Sequence, residues 1–415
     1  MPADETMLPT KTNVLIVGGG IQGLSCAFNL AEAGIREVVV LDAGYWQGGA
    51  SGRNGTLIRA GFLTPEWTRL FHASYEEWRG LSKRLRHNVM FSPRSYTVIA
   101  ERDATAAMFE DALPVHREVG VRSAILGRRA LEEHLPAIAH DRVKAALRLF
   151  DGGVAPHHAV MKGYLAACRE RGVAVHYRRA VTGFEKTGGR VSAALVGHHR
   201  IVADTFVVAA GACNTALAAQ MGVSLAGYPM RIEAMALEPM RPLIGPAVSL
   251  QDRLCYMHQT ARGEVVGGAE VPERPHNTLR SDPPTMAATA AAYLAMFPRL
   301  AEMRIMRHWA GIIHVSPDFG PMIGRHPALD NVWFSAGWSY GFTGAPGAGA
   351  LLAAAIARGT IDDRIRPFAV DRFERGRPIA EAAINLAPPD EISGDVATPS
   401  TRKDLDRPLG AALTT

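Results

Sequence analysis

The sequence predicts an α/β fold: a discontinuous, Rossmann-like nucleotide-binding domain with an inserted α+β domain built on a mixed, largely antiparallel sheet. Three observations carry this expectation. Residues 13–44 run as an apolar strand, a glycine-rich turn, a helix and a second apolar strand that closes on an acid. Two more strand–glycine–helix segments follow far downstream, at 201–212 and 331–359. Between them YPMRIEAMALEP, LCYMHQ and EVVGGAE read as antiparallel strands.

Each part of the opening unit has a mechanical task. Gly18 permits the tight turn off the strand Val14 to Val17, Gly20 lets a pyrophosphate approach the backbone, and Gly23 lets the helix pack on the strand. The helix N-terminus, with Ile21 and Gln22, presents unpaired N–H groups and a positive dipole end to phosphates. Asp42 lies 19 residues beyond Gly23, beside Ala43, where a carboxylate accepts ribose hydroxyls. Gly34 suits the position just past the helix.

The glycine-rich stretch 44–61 follows the second strand. Thr64-Pro65 then opens a helix as cap and first-turn proline. Trp67, Leu70, Phe71, Trp78, Leu81 and Leu85 recur behind it at helical spacing and read as core. Helices are expected at 103–120 and 129–135, then a strand, ALRLF, ending at Asp151-Gly152-Gly153. Helix 158–171, strand 173–177 and a hairpin over 180–186 and 190–196 come next, and helix 285–297 and strand 303–314 follow the antiparallel strands. Glycine costs about 1 kcal/mol against alanine inside a helix. The four glycines between 341 and 349 therefore mark close backbone approach, read here as approach to a ligand. Residues 10–85, 151–222 and 316–380 are assigned to the nucleotide domain, 86–150 and 223–315 to a substrate domain, and 386–415 to a mobile tail rich in Pro, Asp, Ser and Thr.

The chain of 415 residues is 47% hydrophobic and 20% charged, as ordinary globular proteins are. Its 45 basic and 40 acidic residues give a net charge of +5, and the arginines are scattered, which argues against a nucleic-acid partner. Cys26, Cys168, Cys213 and Cys255 stand far apart without a paired motif, so no disulfide framework or metal site is expected and a cytoplasmic location fits. The N-terminus carries no signal pattern, and no apolar run is long enough for a membrane span.

Taken together, the dinucleotide fingerprint, Arg53-Asn54-x-Thr56-x-Ile58-Arg59, GGVAPHHAV (152–160), RGEVVGG (262–268), WAGIIHVSPDFGPMIG (309–324) and GWSYGFTGAPGAG (337–349) resemble the flavin amine oxidases of the D-amino acid oxidase and sarcosine oxidase superfamily. Within it the nearest resemblance is to the β subunits of heterotetrameric sarcosine oxidases. The resemblance covers roughly residues 12–380.

It implies an extended FAD at the domain interface and oxidation of a C–N bond by hydride transfer from a small amine or amino acid. Implied cofactor contacts beyond the fingerprint are Gly52, Arg53, Asn54, Gly55, Val181, Ala210 and Gly211, and in the last glycine turn Gly337, Tyr340, Gly341, Phe342 and Thr343. Trp338 and Tyr340 are expected to wall the flavin pocket. Arg59 aligns with the arginine that relatives use to hold a substrate carboxylate, and a guanidinium fork suits that task. Thr343 takes the place of a lysine that often makes a second carboxylate contact. Tyr256 and His258, on one face of a strand by period two, are either substrate contacts or satisfied core residues, whereas His308 and His314 read as structural.

Monomeric relatives carry an oxygen-activating lysine near the flavin, and Val265 matches its position, which points to electrons leaving by another route. Gly311 replaces the cysteine that links FAD covalently in those relatives, which implies non-covalent FAD. His157 matches a histidine that carries a second flavin, FMN, at the interface with an α-type partner subunit; the other reading is a helix-terminal histidine with a local hydrogen bond. The leading expectation is oxidation of a secondary amine or N-alkyl amino acid. Two alternatives stay open: a stand-alone D-amino acid or glycine dehydrogenase, and a non-catalytic electron-transfer flavin subunit.

Overall fold

The opening unit folds as its pattern requires. Strand β1 (Lys11–Val17), helix α1 (Ile21–Glu32) and strand β2 (Val38–Leu41) make a βαβ crossover in which Val14 pairs in parallel with Val38 and Val17 with Leu41. Gly34 follows α1 in the left-handed region at φ +85°, where glycine avoids the Cβ penalty. The computed structural model describes residues 7–269, 278–379 and 381. The tail expected at 386–415 lies outside the described residues, as does position 380.

Next come β3 (Leu57–Arg59), α2 (Pro65–Arg84), β4 (Tyr96–Ala100), α3 (Asp103–Val119), β5 (Ser123–Ile125), α4 (Arg128–His134), β6 (Ala145–Leu149) and β7 (Gly152–Val154). The chain continues through α5 (His157–Glu170), β8 (Ala174–His176), β9 (Gly183–Thr187), β10 (Arg190–Val196), β11 (His199–Val208) and α6 (Asn214–Gln220). The last stretch holds β12 (Tyr228–Leu237), β13 (Ala247–Leu250), β14 (Cys255–Gln259), β15 (Val265–Ala269), α7 (Pro283–Met296), β16 (Ile305–Val315), β17 (Met322–Arg325), β18 (Val332–Ala336) and α8 (Gly341–Arg358).

One eight-stranded sheet runs β17-β18-β11-β1-β2-β8, with the β9–β10 hairpin attached to β11. Its β18, β11, β1, β2 and β8 are parallel, so the three strand–glycine–helix segments seen in the sequence lie side by side. Helices α1 and α8 pack on it, and Leu15, Val17, Val39, Phe206, Val208 and Phe334 form its core.

A second eight-stranded sheet runs β16-β12-β15-β14-β13-β4-β6-β5. All of its pairs are antiparallel except β13–β4, so the expected mixed, largely antiparallel sheet is present. Alternation divides its two faces. Ile99, Ala146, Met257 and Val265 point outward into a core with Tyr293 and Met296 of α7. Tyr96, Val98, Leu147, Tyr256 and His258 occupy the opposite face. That inner face meets a two-stranded ribbon, β3–β7, in which Arg59 pairs with Gly152. The strand expected to end at Asp151-Gly152-Gly153 stops at Leu149, and a further strand covers Gly152–Val154, where Ser92 and Tyr96 come too close to the two glycines for any side chain.

Candidate active site

Three backbone turns meet at the carboxyl ends of β1, β11 and β18, the place where open α/β sheets bind ligands. Gly18 has φ +116°, and a Cβ there would overlap the Ala209 carbonyl at the end of β11. A Cβ on Gly23 would overlap the Gly18 carbonyl oxygen, so α1 sits against β1 only because that position is glycine. At the start of α1 the Ile21 N–H donates to Ser51 Oγ at 2.9 Å. Ser51 lies in the glycine-rich stretch 44–61, whose composition was its one sequence signal.

Asp42 accepts from the Gly19 N–H at 2.7 Å and the Gly44 N–H at 2.8 Å, one bond to each carboxylate oxygen. It stays half exposed beside Ala43, so each oxygen keeps a lone pair free of the backbone. Ala210 donates its N–H to Asn214 Oδ1 at 2.8 Å, and Gly211 is left-handed at φ +56°. Val181 is half buried and packs against the core of the parallel sheet.

The loop after β2 is braced. The Arg53 guanidinium donates to Gly48 O, Ala310 O and Tyr45 Oη, so among the described residues this cation serves as a strut between the loop and β16. Gly52 and Gly311 pack close to this brace: a Cβ on Gly52 would overlap Gln47, and one on Gly311 would press on Arg53 Cβ. Asn54 Nδ2 donates to Ser51 O at 2.6 Å, while its Oδ1 accepts from the Thr56 N–H at 2.8 Å. Thr56 is thereby held at φ +63°, a strained setting for a β-branched residue. Gly55 leaves room for the Tyr256 ring, which a Cβ there would strike.

Thr56 Oγ1 also pairs with His258 Nε2 at 3.0 Å. His258 is 5% exposed, its Nδ1 is buried without a hydrogen-bond partner, and burial pushes its pKa down to about 4. It is therefore a neutral imidazole near pH 7. Val265, expected near the flavin, points instead into the outer core, and the β15 residue paired with His258 is Val266.

Arg59 stands at the centre of the site. It is 4% exposed, and its Nε and Nη2 are buried without a hydrogen-bond partner. Its Cζ lies 3.9 Å from the Phe62 ring centre, 5.0 Å from Tyr340 and 5.5 Å from Tyr96. Beside it is a mostly apolar recess lined by Phe62, Val98, Phe109 and Leu147, with Gln251 at one side. His116 reaches under the same segment: its Nε2–H donates to Phe62 O at 2.7 Å and its Nδ1 pairs with Ser123 Oγ at 2.8 Å. Burial, above all, lowers the His116 pKa. Phe62, Tyr96 and His116 were missed in the sequence because none belongs to a motif.

Thr343 does not extend toward this recess. Its Oγ1 accepts from the Arg59 N–H at 3.1 Å, while its carbonyl accepts from Ser74 Oγ at 2.6 Å and Trp78 Nε1 at 2.9 Å. Here a buried threonine fixes the backbone of Arg59.

The glycine turn itself is tied to α1. Gln22 Nε2 donates to Gly341 O at 2.7 Å, Ser335 Oγ donates to Gln22 Oε1, and Trp338 Nε1 donates to Ser335 Oγ. Gly337, at φ +69°, donates its N–H to His314 Nδ1 at 2.9 Å, and Phe342 packs on Trp78. Gly347 and Gly349 approach Ser74 of α2 and Ser25 of α1, and Gly344 approaches Trp338 of the turn and Phe71 of α2, so the closeness of these three is packing within the fold and not the expected approach to a ligand. His157, within GGVAPHHAV, opens α5; it is half buried, its Nδ1 has no hydrogen-bond partner, and burial lowers its pKa.

The donor set suits an adenine dinucleotide. Backbone turns free of side chains meet a helix N-terminus and a half-exposed carboxylate, and a buried guanidinium lies beyond them. No helix among the described residues is long and apolar enough to cross a membrane.

Comparison with known proteins places this architecture. Residues 13–355 match the family model described as DAO, FAD dependent oxidoreductase. The chain is 32% identical over 382 residues to the sarcosine oxidase subunit beta of Rhizobium meliloti, covering 91% of this chain and 92% of that one. It is 25% identical over 421 residues to a D-amino acid dehydrogenase of Xanthobacter autotrophicus, covering 87% and 99%. Among solved structures, the L-proline dehydrogenase from P. horikoshii superposes with a TM-score of 0.85 at 24% identity, covering 90% of this chain and 100% of that one.

Proposed function

The chain belongs to the DAO family of FAD-dependent oxidoreductases, and on that premise we propose that it oxidises the C–N bond of a secondary amine or N-alkyl amino acid held by its carboxylate at Arg59. The buried, unsatisfied Arg59 guanidinium carries this reading. Leaving a buried charge unpaired costs several kcal/mol, and a carboxylate supplies both the countercharge and the acceptor atoms. Phe62, Tyr340 and Tyr96 hold the guanidinium between ring faces and keep water from it. Thr343 and His116 fix the backbone on either side. Tyr256 and His258 lie on the same inner face of the sheet as Tyr96, against Gly55 and Thr56, and His258, neutral above about pH 4, adds no positive charge there.

FAD, when bound, supplies the two-electron acceptor for the hydride. Gly18, Gly20 and Gly23, the start of α1, Asp42, Gly52–Gly55, Ala210–Gly211 and the 337–343 turn are the residues that would hold it. Support for a domain division at 10–85, 151–222 and 316–380 against 86–150 and 223–315 comes from the strands, since those of the two large sheets separate along these ranges.

The finer reading includes a second flavin. We infer that His157 carries FMN at the surface that meets an α-type subunit; its half-burial, its unpartnered Nδ1 and the name of the Rhizobium relative support this. Flavin that stays with the denatured pellet of co-expressed parent protein and is lost in His157→Ala is the expected result. No retained flavin removes the two-flavin reading. The similarity to a D-amino acid dehydrogenase, together with valine at both 265 and 266, keeps a stand-alone dehydrogenase as the second reading.

Arg59→Met tests the main proposal. It is expected to lower kcat/KM for a carboxylated substrate by about a hundredfold or more, the scale of roughly 3 kcal/mol for charged hydrogen bonds. An amine without a carboxylate is expected to lose far less. Equal losses for both would sink the assignment.

A further inference from the structure

We propose that Glu381, at the C-terminal end of the described residues, is a positioning residue for the Arg59 site, an inference that rests on Arg59 holding a substrate carboxylate. Glu381 is 4% exposed. Its Oε1 accepts from the Leu63 N–H at 2.9 Å, and its Oε2 accepts from the Thr64 N–H at 2.9 Å and Thr64 Oγ1 at 2.8 Å. These donors lie at the N-cap of α2 and one residue before it, at the positive end of the helix dipole, where a carboxylate is favoured. Thr64, the N-cap residue, makes no cap bond with its own side chain, and its hydroxyl and N–H are instead tied to an acid 317 residues away in sequence.

The segment fixed in this way leads straight to Arg59. Phe62, one residue before the Leu63 donor, carries the ring on which the Arg59 guanidinium lies. Its backbone N–H donates to Thr68 Oγ1 on the first turn of α2, so the geometry of that turn is passed directly to Phe62. The Arg59 backbone is held from the other side by Thr343. Glu381 thus closes the open end of a clamp whose other end is the glycine turn.

The C-terminal segment also touches that turn. Arg372 pairs with Asp318 at 2.6 Å, and Ile379 donates its N–H to Asp318 Oδ2 at 2.8 Å. Asp318 belongs to the bend on which the 337–341 turn rests, because Ser339 Oγ donates to Phe319 O at 2.6 Å. The stretch from 372 to 381 therefore bonds to both walls of the site. None of its residues needs to contact substrate, and the effect passes through residues 62–64 to Arg59.

Propionate binding to the full-length holoenzyme, read from the visible absorbance of its flavin, tests the proposal. Glu381→Ala is expected to raise the propionate Kd about tenfold, the scale of one hydrogen bond to a charged group, and to speed hydrogen exchange in the 59–66 peptide. Glu381→Asp should recover part of the affinity. A lower Tm with an unchanged Kd would mean a merely structural role and overturns the proposal. If Glu381→Ala does not fold, Glu381→Gln, which keeps one acceptor oxygen, carries the same comparison. Arg59→Met is measured in parallel. If it binds propionate as the parent does, the reading of Arg59 itself fails; if it loses propionate while the Glu381 variants keep it, only the positioning role fails.

Discussion

Arg59 sits among three aromatic rings with two of its nitrogen atoms buried and unpartnered, and its backbone N–H is held by a threonine hydroxyl on the glycine turn. Thr343→Val removes that hydroxyl at nearly constant volume. It is expected to raise KM for a carboxylated substrate several-fold while kcat changes little, since the loss acts through the position of Arg59; an unchanged KM in steady-state assays would contradict this role. His258 gives a pH signature. Its pKa in the fold, about 4, lies below its ordinary value of 6.5 because burial disfavours the imidazolium. Between those values the unfolded chain binds more protons, so stability is full above about pH 6.5 and is lost as pH falls toward 4. His134 and His314, also lowered to about 4 chiefly by burial, add to the same slope. Urea midpoints of His258→Asn should therefore fall less steeply between pH 7 and pH 4.5 than those of the parent, and an equal slope would refute the assignment. Arg59 and His258 were legible in sequence through motif and strand period. The direction of the Thr343 side chain was not, because it depends on where β3 lies beside α8, and Glu381 has no local signal at all.

The elements bearing the site are short or glycine-rich, and glycine decides their packing. Gly23 is the clearest case, since a Cβ there would overlap the Gly18 carbonyl oxygen. Gly23→Ala is expected to push α1 away from β1, lower Tm and weaken FAD retention on gel filtration by tenfold or more on the scale of about 1–3 kcal/mol for overpacking; full retention would show that the turn yields without cost. The opening βαβ unit and the glycine turn of α8 could be read from the sequence because strand, glycine and helix follow one another with the right spacing. Strand β3 was hidden, being three residues long, and so was β7, whose two glycines read as the end of the strand before it. Both become strands only through each other. The same limit explains the glycines of α8: their pattern marks close approach, but the partners, α1 and α2, lie hundreds of residues away in sequence.

At the scale of the whole molecule, two eight-stranded sheets are built from interleaved stretches of chain. The parallel one supplies backbone turns and a helix N-terminus, and the largely antiparallel one supplies an inner face with Tyr96, Tyr256 and His258. The β3–β7 ribbon sets Arg59 between them. On the proposed reading this arrangement separates two tasks, holding a dinucleotide and holding a carboxylate, and brings them together at one place. The fold class was readable because long parallel strands followed by glycine turns have few alternatives. The convergence of distant residues on Arg59 was not, since it comes from how the sheets face each other. The most direct measurement is anaerobic titration of the purified, FAD-containing protein with secondary amines and N-alkyl amino acids. The account predicts that at least one carboxylated member bleaches the flavin stoichiometrically and that its carboxamide counterpart does so far more weakly. A protein that takes up no FAD, or whose flavin no amine or amino acid reduces, would contradict it.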